Sequence, residues 1–123
     1  MITQLNGKLV EKNPTELVVD CNGVGYEVKI SLTTFTSLGN EEAVKIFTKL
    51  IVREDAHILY GFATKEEREM FTYLISVSGI GPNIAMIMLS SLVPEEIAHA
   101  IQTEDVQTIQ SIKGIGAKTA QRV

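Results

Sequence analysis

Hydrophobic and polar residues alternate along the first half of the chain, and the period changes at Thr64. Ile2 to Val10 reads as a β-run with Gly7 inside it, the mark of a bulge or sharp bend. Asn13-Pro14 signals a turn, and Leu17-Val18-Val19-Asp20-Cys21 forms a second strand. Asn22-Gly23 is a hairpin signal, because both central positions of a type I′ turn need positive φ. Tyr26 to Ile30 alternates as a third strand, and Thr33 to Leu38 fits a short turn of helix. Val44 to Val52 and His57 to Phe62 make a fourth and a fifth strand, joined at Arg53-Glu54-Asp55-Ala56. Five short strands in about sixty residues predict a small closed β-barrel of the oligonucleotide-binding (OB) type. A sheet of that size cannot bury both faces unless it closes or finds a partner.

From Thr64 the pattern is helical. Thr64-Lys65-Glu66-Glu67 is a capping box, in which the threonine hydroxyl takes one orphan N–H and the glutamate reaches back for another. Met70, Phe71, Leu74 and Ile75 fall on one face of the helix that follows. A second helix opens at Pro82, with Ile84, Ala85, Ile87, Met88 and Leu92 as its expected buried side. Pro94 opens a third through about Thr103, where Glu95 and Glu96 complement the positive end of the dipole. Thr103 is placed to cap a fourth over Glu104 to Ser111, and a fifth begins at Ala117. That last helix is still running at Val123, which predicts a native chain that continues further. The expected fold is α+β: a five-stranded OB-type barrel over residues 1–63, then an all-α domain over 64–123.

The helical half contains one phrase twice. Ser78-Gly79-Ile80-Gly81-Pro82 is echoed 35 residues later by Lys113-Gly114-Ile115-Gly116-Ala117. A helix, a tight turn holding Gly-apolar-Gly and a second helix make a helix-hairpin-helix pattern. Glycine takes the left-handed conformation cheaply and presents no Cβ, so a phosphate oxygen can approach the backbone. The middle Ile80 or Ile115 turns inward as an anchor. The N–H groups that follow open the next helix, where the dipole favours an anion. One copy reads equally as a helix C-cap and turn; the repeat tips the reading toward a backbone grip at two points. On this reading the phosphate-binding residues are Gly79, Ile80, Gly81, Pro82 and Asn83, then Gly114, Ile115, Gly116, Ala117, Lys118, Thr119 and Arg122. Lys118 and Arg122 sit four apart on one helical face. Such contacts are sequence-blind, because every nucleotide carries the same phosphate.

Charge narrows this picture. The chain of 123 residues has a net charge of −4, which argues against a simple basic coat on DNA. Residues 1–63 hold six Lys/Arg against eight Asp/Glu, and 64–123 hold five against seven. From Val106 onward there are three cations and no acid. Binding would therefore run through local sites. Cys21 is the one cysteine, so no internal disulfide forms, which fits a cytoplasmic setting. No apolar stretch is long enough to span a bilayer.

Other chemistry finds little support. His57 and His99 fall on different elements without cysteine partners, so no metal is expected. No Gly-x-x-x-x-Gly-Lys-Ser/Thr loop is present, no serine has a nucleophile-elbow context, and no catalytic residue or cofactor is assigned. Tyr26, Tyr60 and Phe62 suit a barrel core better than base-stacking platforms. Glu54 and Asp55 form an acidic tip between two strands. By composition alone that is a polar turn; two like charges about 8 Å apart in water repel by only about 0.5 kcal/mol. Several such tips converging in a confined centre would do much more.

Four blocks together resemble the RuvA family of bacterial Holliday-junction proteins. They are Gly23-Val24-Gly25-Tyr26-Glu27-Val28, Val52-Arg53-Glu54-Asp55-Ala56 with Leu59-Tyr60-Gly61-Phe62, Ser78-Gly79-Ile80-Gly81-Pro82, and Gly114-Ile115-Gly116 with Lys118-Thr119-Ala120. The resemblance covers essentially the whole chain in order. It implies a non-catalytic subunit that binds four-way DNA junctions in recombination, repair and the SOS response. It implies a homotetramer, or two tetramers face to face, and a tethered third domain, not in this chain, that contacts the RuvB ATPase. A RuvC resolvase is a further implied partner. Glu54 and Asp55 would be the family's acidic pin, eight carboxylates near the crossover in a tetramer. Asn83 and Ala117 depart from the family, which often has lysine there. Each loses a cation beside a phosphate, and Lys29, Lys45 and Lys49 are candidates to compensate.

Overall fold

The structure, a computed structural model, describes residues 2–39, 42–92 and 94–103. The expected fourth and fifth helices and the second Gly-Ile-Gly, with Gly114 to Arg122, lie outside the described residues.

Five strands form the closed barrel: β1 (Gln4–Lys12), β2 (Glu16–Cys21), β3 (Val24–Ile30), β4 (Ala43–Val52) and β5 (His57–Phe62). Their order is β1-β2-β3-β5-β4, closed by β1 against β4. The β3–β5 pair is parallel and the others are antiparallel. A short helix α1 (Leu32–Leu38) joins β3 to β4. Helices α2 (Lys65–Ile75), α3 (Pro82–Ser91) and α4 (Pro94–Gln102) follow.

Local chemistry sets the turns. Asn22 has φ 53° and Gly23 φ 92°, the two positive values that the β2–β3 turn was expected to need. Asp20 reinforces it, its carboxylate accepting from the Gly23 amide at 2.7 Å. The Asn13 side chain accepts from the amides of Thr15 and Glu16 at 3.0 and 2.9 Å and holds the β1–β2 turn. Gly7 is not itself the bulge. The register of β1 on β2 shifts between Leu9 and Glu11, and Gly7 answers to a close approach: a Cβ there would stand 2.3 Å from the Asp20 carbonyl oxygen.

Among the described residues there are two cores, and β5 belongs to both. Leu5, Leu17, Val19, Val28, Ile30, Ile46 and Leu59 fill the barrel. On the opposite face of β5, Tyr60 and Phe62 point into the helices and join Phe71, Leu74, Ile80, Ala85, Met88, Leu89, Ile97 and Ala100. The Phe71 ring lies 5.2 Å from Tyr60 and 5.0 Å from Phe62, centroid to centroid and tilted, a favourable aromatic arrangement. Inside the barrel Gly61 leaves room for its neighbours; a Cβ would come within 2.3 Å of Val28 Cγ1 and 2.7 Å of Ile46 Cγ2. Those branched side chains are stiff and cannot swing clear.

The helical faces match the sequence pattern with one exchange. On α3, Ala85, Met88 and Leu89 are buried, Ile84 and Leu92 pack at the margin, and Ile87 is 39% exposed. Leu89 takes the place expected for Ile87 because α3 faces two neighbours: α2 on one side and α1 on the other, where Thr33 Oγ1 donates to the Leu89 carbonyl at 2.6 Å.

The capping box is only half as expected. Thr64 Oγ1 accepts from the Glu67 amide at 3.2 Å. The Glu67 carboxylate instead turns into the protein, where it accepts from Ser31 Oγ at 3.1 Å, from Thr34 Oγ1 and from the Ala63 backbone. Ser31 also caps α1, accepting from the Thr34 amide at 3.1 Å. One carboxylate thus ties the start of α2 to the start of α1. Burial pushes its pKa above the ordinary glutamate value, and the hydroxyl and backbone donors offset only part of that. A pKa raised by folding contributes stability below the unfolded value near 4.5, which is lost as pH climbs through the folded value. Glu67→Gln keeps a carbonyl acceptor for one hydroxyl and cannot ionise. The melting temperature of the variant relative to wild type is expected to rise from pH 4 to pH 8; a flat difference in calorimetry would contradict the shift.

Candidate nucleic-acid interface

The first Gly-Ile-Gly is an exposed turn with a buried anchor. α2 ends at Ile75, and the chain tightens through Val77 N–H to Leu74 O at 3.1 Å and Ile80 N–H to Val77 O at 3.1 Å. Gly79 takes φ 94°, which a side chain disfavours. Ile80 drives into the helical core and is 4% exposed, between two exposed glycines. Gly81 is the N-cap of α3, with φ −89° and ψ 175°, and no side chain caps the helix. Pro82 has no N–H, and the first intrahelical bond is Ala85 N–H to Gly81 O at 3.0 Å. The amides of Asn83 and Ile84 therefore open outward at the positive end of a ten-residue helix. A Cβ on Gly81 would meet nothing within 4 Å, so a ligand atom has the same free access.

The acidic tip is exposed and rigidly footed. Glu54 and Asp55 lie at the β4–β5 turn, closed by Arg53 N–H to Ala56 O at 2.8 Å. Below it Val52 pairs with His57 and Ile51 with Ile58. Ile51 and Ile58 pack against the same helical core that holds Ile80. Tip and hairpin therefore stand on one packed cluster.

Lys29, on β3, shares a cleft of about 290 Å³ with Asn83 at the start of α3. A barrel cation thus lines the same cleft as Asn83. Tyr60 and Phe62 are fully buried and cannot stack on a base; Tyr26 is half-buried on the barrel. Burial pushes the Tyr60 phenol pKa up, with Arg53 partly offsetting it. Among the described residues no group of three His, Cys, Asp or Glu is arranged to hold a metal, and no single helix is long and apolar enough to cross a membrane. Sequence reading missed the convergence of Lys45, Lys65 and Arg68 on the Phe47 ring, 5.3 to 5.9 Å from its centroid. Lys45 was already a candidate cation, and the i, i+3 spacing of Lys65 and Arg68 was the other legible trace.

The barrel half and the helical half each match a known family. Residues 1–61 match the family described as RuvA N terminal domain, and residues 71–123 match the SAM-like helix-hairpin-helix tandem. The chain is 61% identical over all of its 123 residues to the Holliday junction branch migration complex subunit RuvA of Christiangramia forsetii, covering 64% of that protein. It belongs to the RuvA family. The RuvA of Flavobacterium psychrophilum is 64% identical over 122 residues, 99% of this chain and 63% of the relative. That of Cytophaga hutchinsonii is 56% identical over 123 residues, 100% of this chain and 62% of the relative. The chain thus spans somewhat less than two thirds of the length of these curated RuvA relatives.

The two glycines of the described hairpin are expected to respond differently to alanine. Gly79→Ala forces a side chain into φ 94° and should cost about 1–2 kcal/mol. Gly81→Ala meets open space at an allowed φ and should cost less than about 1 kcal/mol. Urea unfolding of both variants measures the contrast; equal losses would mean that the turn is not built as described.

Proposed function

We propose that this chain is the DNA-binding, non-motor part of a branch-migration complex and recognises four-way junctions through the backbone of its helix-hairpin-helix turns. The observation that carries the reading is the uncapped start of α3 at an exposed Gly81, locked in place by the buried Ile80. Its amides suit a phosphate oxygen and read no base. The named function of the RuvA relatives supports the junction as substrate. Gly114, Ile115, Gly116, Ala117, Lys118, Thr119 and Arg122 would supply the second grip, with Pro82 and Asn83 beside the first. Residues 1–63 and 64–123 act as barrel and grip in this reading. The chain hydrolyses no ATP; a RuvB motor, docked through a further domain, would supply it, and a RuvC resolvase would share the junction. Assembly is a homotetramer, alone or paired face to face, in the cytoplasm.

A labelled four-way junction competed with linear duplex of equal length tests this. The junction should win by at least about tenfold. Gly81→Asp with Gly116→Asp places carboxylates where phosphate would sit; aspartate is a good N-cap at the start of α3, so α3 should survive the change at Gly81. Junction affinity is expected to fall by more than tenfold, and unchanged affinity would falsify the assignment of the turns. Equal affinity for junction and duplex would favour a general DNA-binding module.

Glu54 and Asp55 would act as the pin. Four tips around a fourfold axis bring eight carboxylates to the crossover, where they repel strands and hold them apart. Glu54→Gln with Asp55→Asn should tighten junction binding or change the rate of branch migration in the assembled complex. If gel-shift titration and strand-exchange timing both match wild type, the tip is only a turn.

A further inference from the structure

The charges of α2 are spread unevenly about its axis. Lys65, Arg68, Thr72 and Ser76 follow i, i+3, i+7, i+11 along one flank. Glu66 and Glu69 lie on the next flank, where they share a cleft with Met70, Tyr73 and Glu95. On the basic flank three cations gather about one ring: Lys45 Nζ lies 5.3 Å, Lys65 Nζ 5.9 Å and Arg68 Cζ 5.5 Å from the centroid of Phe47. None of the three is paired with a carboxylate among the described residues. Arg68 is held in position, donating to the Thr3 carbonyl at 2.7 Å. A cleft of about 160 Å³ continues from it along α2, between Arg68 and Thr72 on one side and Thr48, Lys49 and Leu50 on the other.

Like charges do not converge without a reason. The ring attracts each cation modestly, by about 0.5–1 kcal/mol at an exposed site, and does not neutralise any of them. The hairpin at the far end of α2, by contrast, has no cation of its own. No lysine or arginine occurs between Arg68 and Lys113. Anion-binding amides and unpaired cations thus occupy the two ends of one helix. Eleven residues separate Lys65 from Ser76, about 16 Å of rise, or about five nucleotides of a DNA strand at 3.4 Å each.

We infer that the Phe47 cluster is a second phosphate contact, in which Lys45, Lys65 and Arg68 bind the DNA backbone that the Gly79–Gly81 hairpin holds. Lys49 lines the path between them. Glu66 and Glu69, on the adjoining flank of α2, would repel a strand that strayed toward them. The cluster makes the contact electrostatic and salt-dependent, whereas the hairpin supplies a short-range dipole. This inference rests on the proposed junction function.

The test is the salt dependence of binding. Lys45→Gln with Lys65→Gln removes two exposed charges and leaves Arg68 on Thr3. In a titration of a synthetic four-way junction against potassium chloride, the slope of log K against log salt should shrink by about one per lost contact. Affinity near 0.1 M salt should fall by about tenfold or more. Lys12→Gln, at the other end of β1 against Phe35, should change the slope little. Solution mass, measured in parallel, should equal that of wild type. A wild-type slope in the double variant overturns the inference while wild-type junction binding leaves the main reading standing. A wild type that fails to bind the junction overturns both. A loss of solution mass in the double variant also overturns it, because the cluster is then an interface between copies.

Discussion

Burial of β5 on both faces is the constraint from which the rest of the molecule follows. Leu59 and Gly61 face the barrel, while Tyr60 and Phe62 face the helices. A strand used in this way cannot slip by one residue, because a slip would turn the aromatics into a space that does not admit even a Cβ at Gly61. The register of β5 is therefore pinned from two sides, by Leu50↔Leu59 and Phe47↔Phe62 on β4 and by Val28↔Leu59 on β3. Pinned with it is the Glu54–Asp55 tip, which lies just before the strand. The aromatic contacts on Phe71 fix α2, and α2 leads directly to the glycine hairpin. A tip and a turn from different halves of the sequence are thus held by one strand.

The second tie is polar. Glu67 bridges the starts of α1 and α2, and Ser90 Oγ on α3 accepts from the Leu32 amide at 2.9 Å. α1 is only seven residues long and would not persist alone. It is held because its first amides and hydroxyls are taken up by α2 and α3. In return it closes the gap between the helices and the barrel, where Phe35 and Leu38 pack on the barrel core. Aromatic packing and a buried carboxylate thus restrain the same junction, one by shape and the other by direction.

Elements that depend on near neighbours could be read in the sequence. The five strands, the Asn22-Gly23 turn, the Thr64 cap and the start of α3 at Pro82 all rest on local propensity and period. The errors lie where a distant partner decides. Gly7 was expected to mark a bulge or a sharp bend; the register shift falls between Leu9 and Glu11 instead, and the Asp20 carbonyl of β2 leaves no room for a Cβ at Gly7. Glu67 was expected to cap its own helix, but Ser31 and Thr34, more than thirty residues away, draw its carboxylate inward. Ile87 and Leu89 exchange roles because α1 packs on α3. The inward turn of Ile80 was legible, since an apolar residue between two glycines has one sheltered direction. The Phe47 cluster was not, because it joins β4 to α2 and no periodicity links them.

The two kinds of contact proposed here would suit the proposed junction, whose sequence would change at every step of branch movement. Side chains that read bases would favour some positions over others and would stall the exchange. Amides at a helix start cannot do so, and neither can lysines that meet a phosphate as point charges. The amides are fixed by Ile80 and act only at contact distance, while the charges of the Phe47 cluster act over about a Debye length of 8–10 Å. A strand could then leave one hairpin while still held in the field of the cluster and re-engage one nucleotide on. The net charge of −4 belongs to the same logic. A uniformly basic surface would bind any duplex along its length, whereas on the proposed reading an acidic chain with a few local cations would bind only where those cations and the hairpin amides are met together.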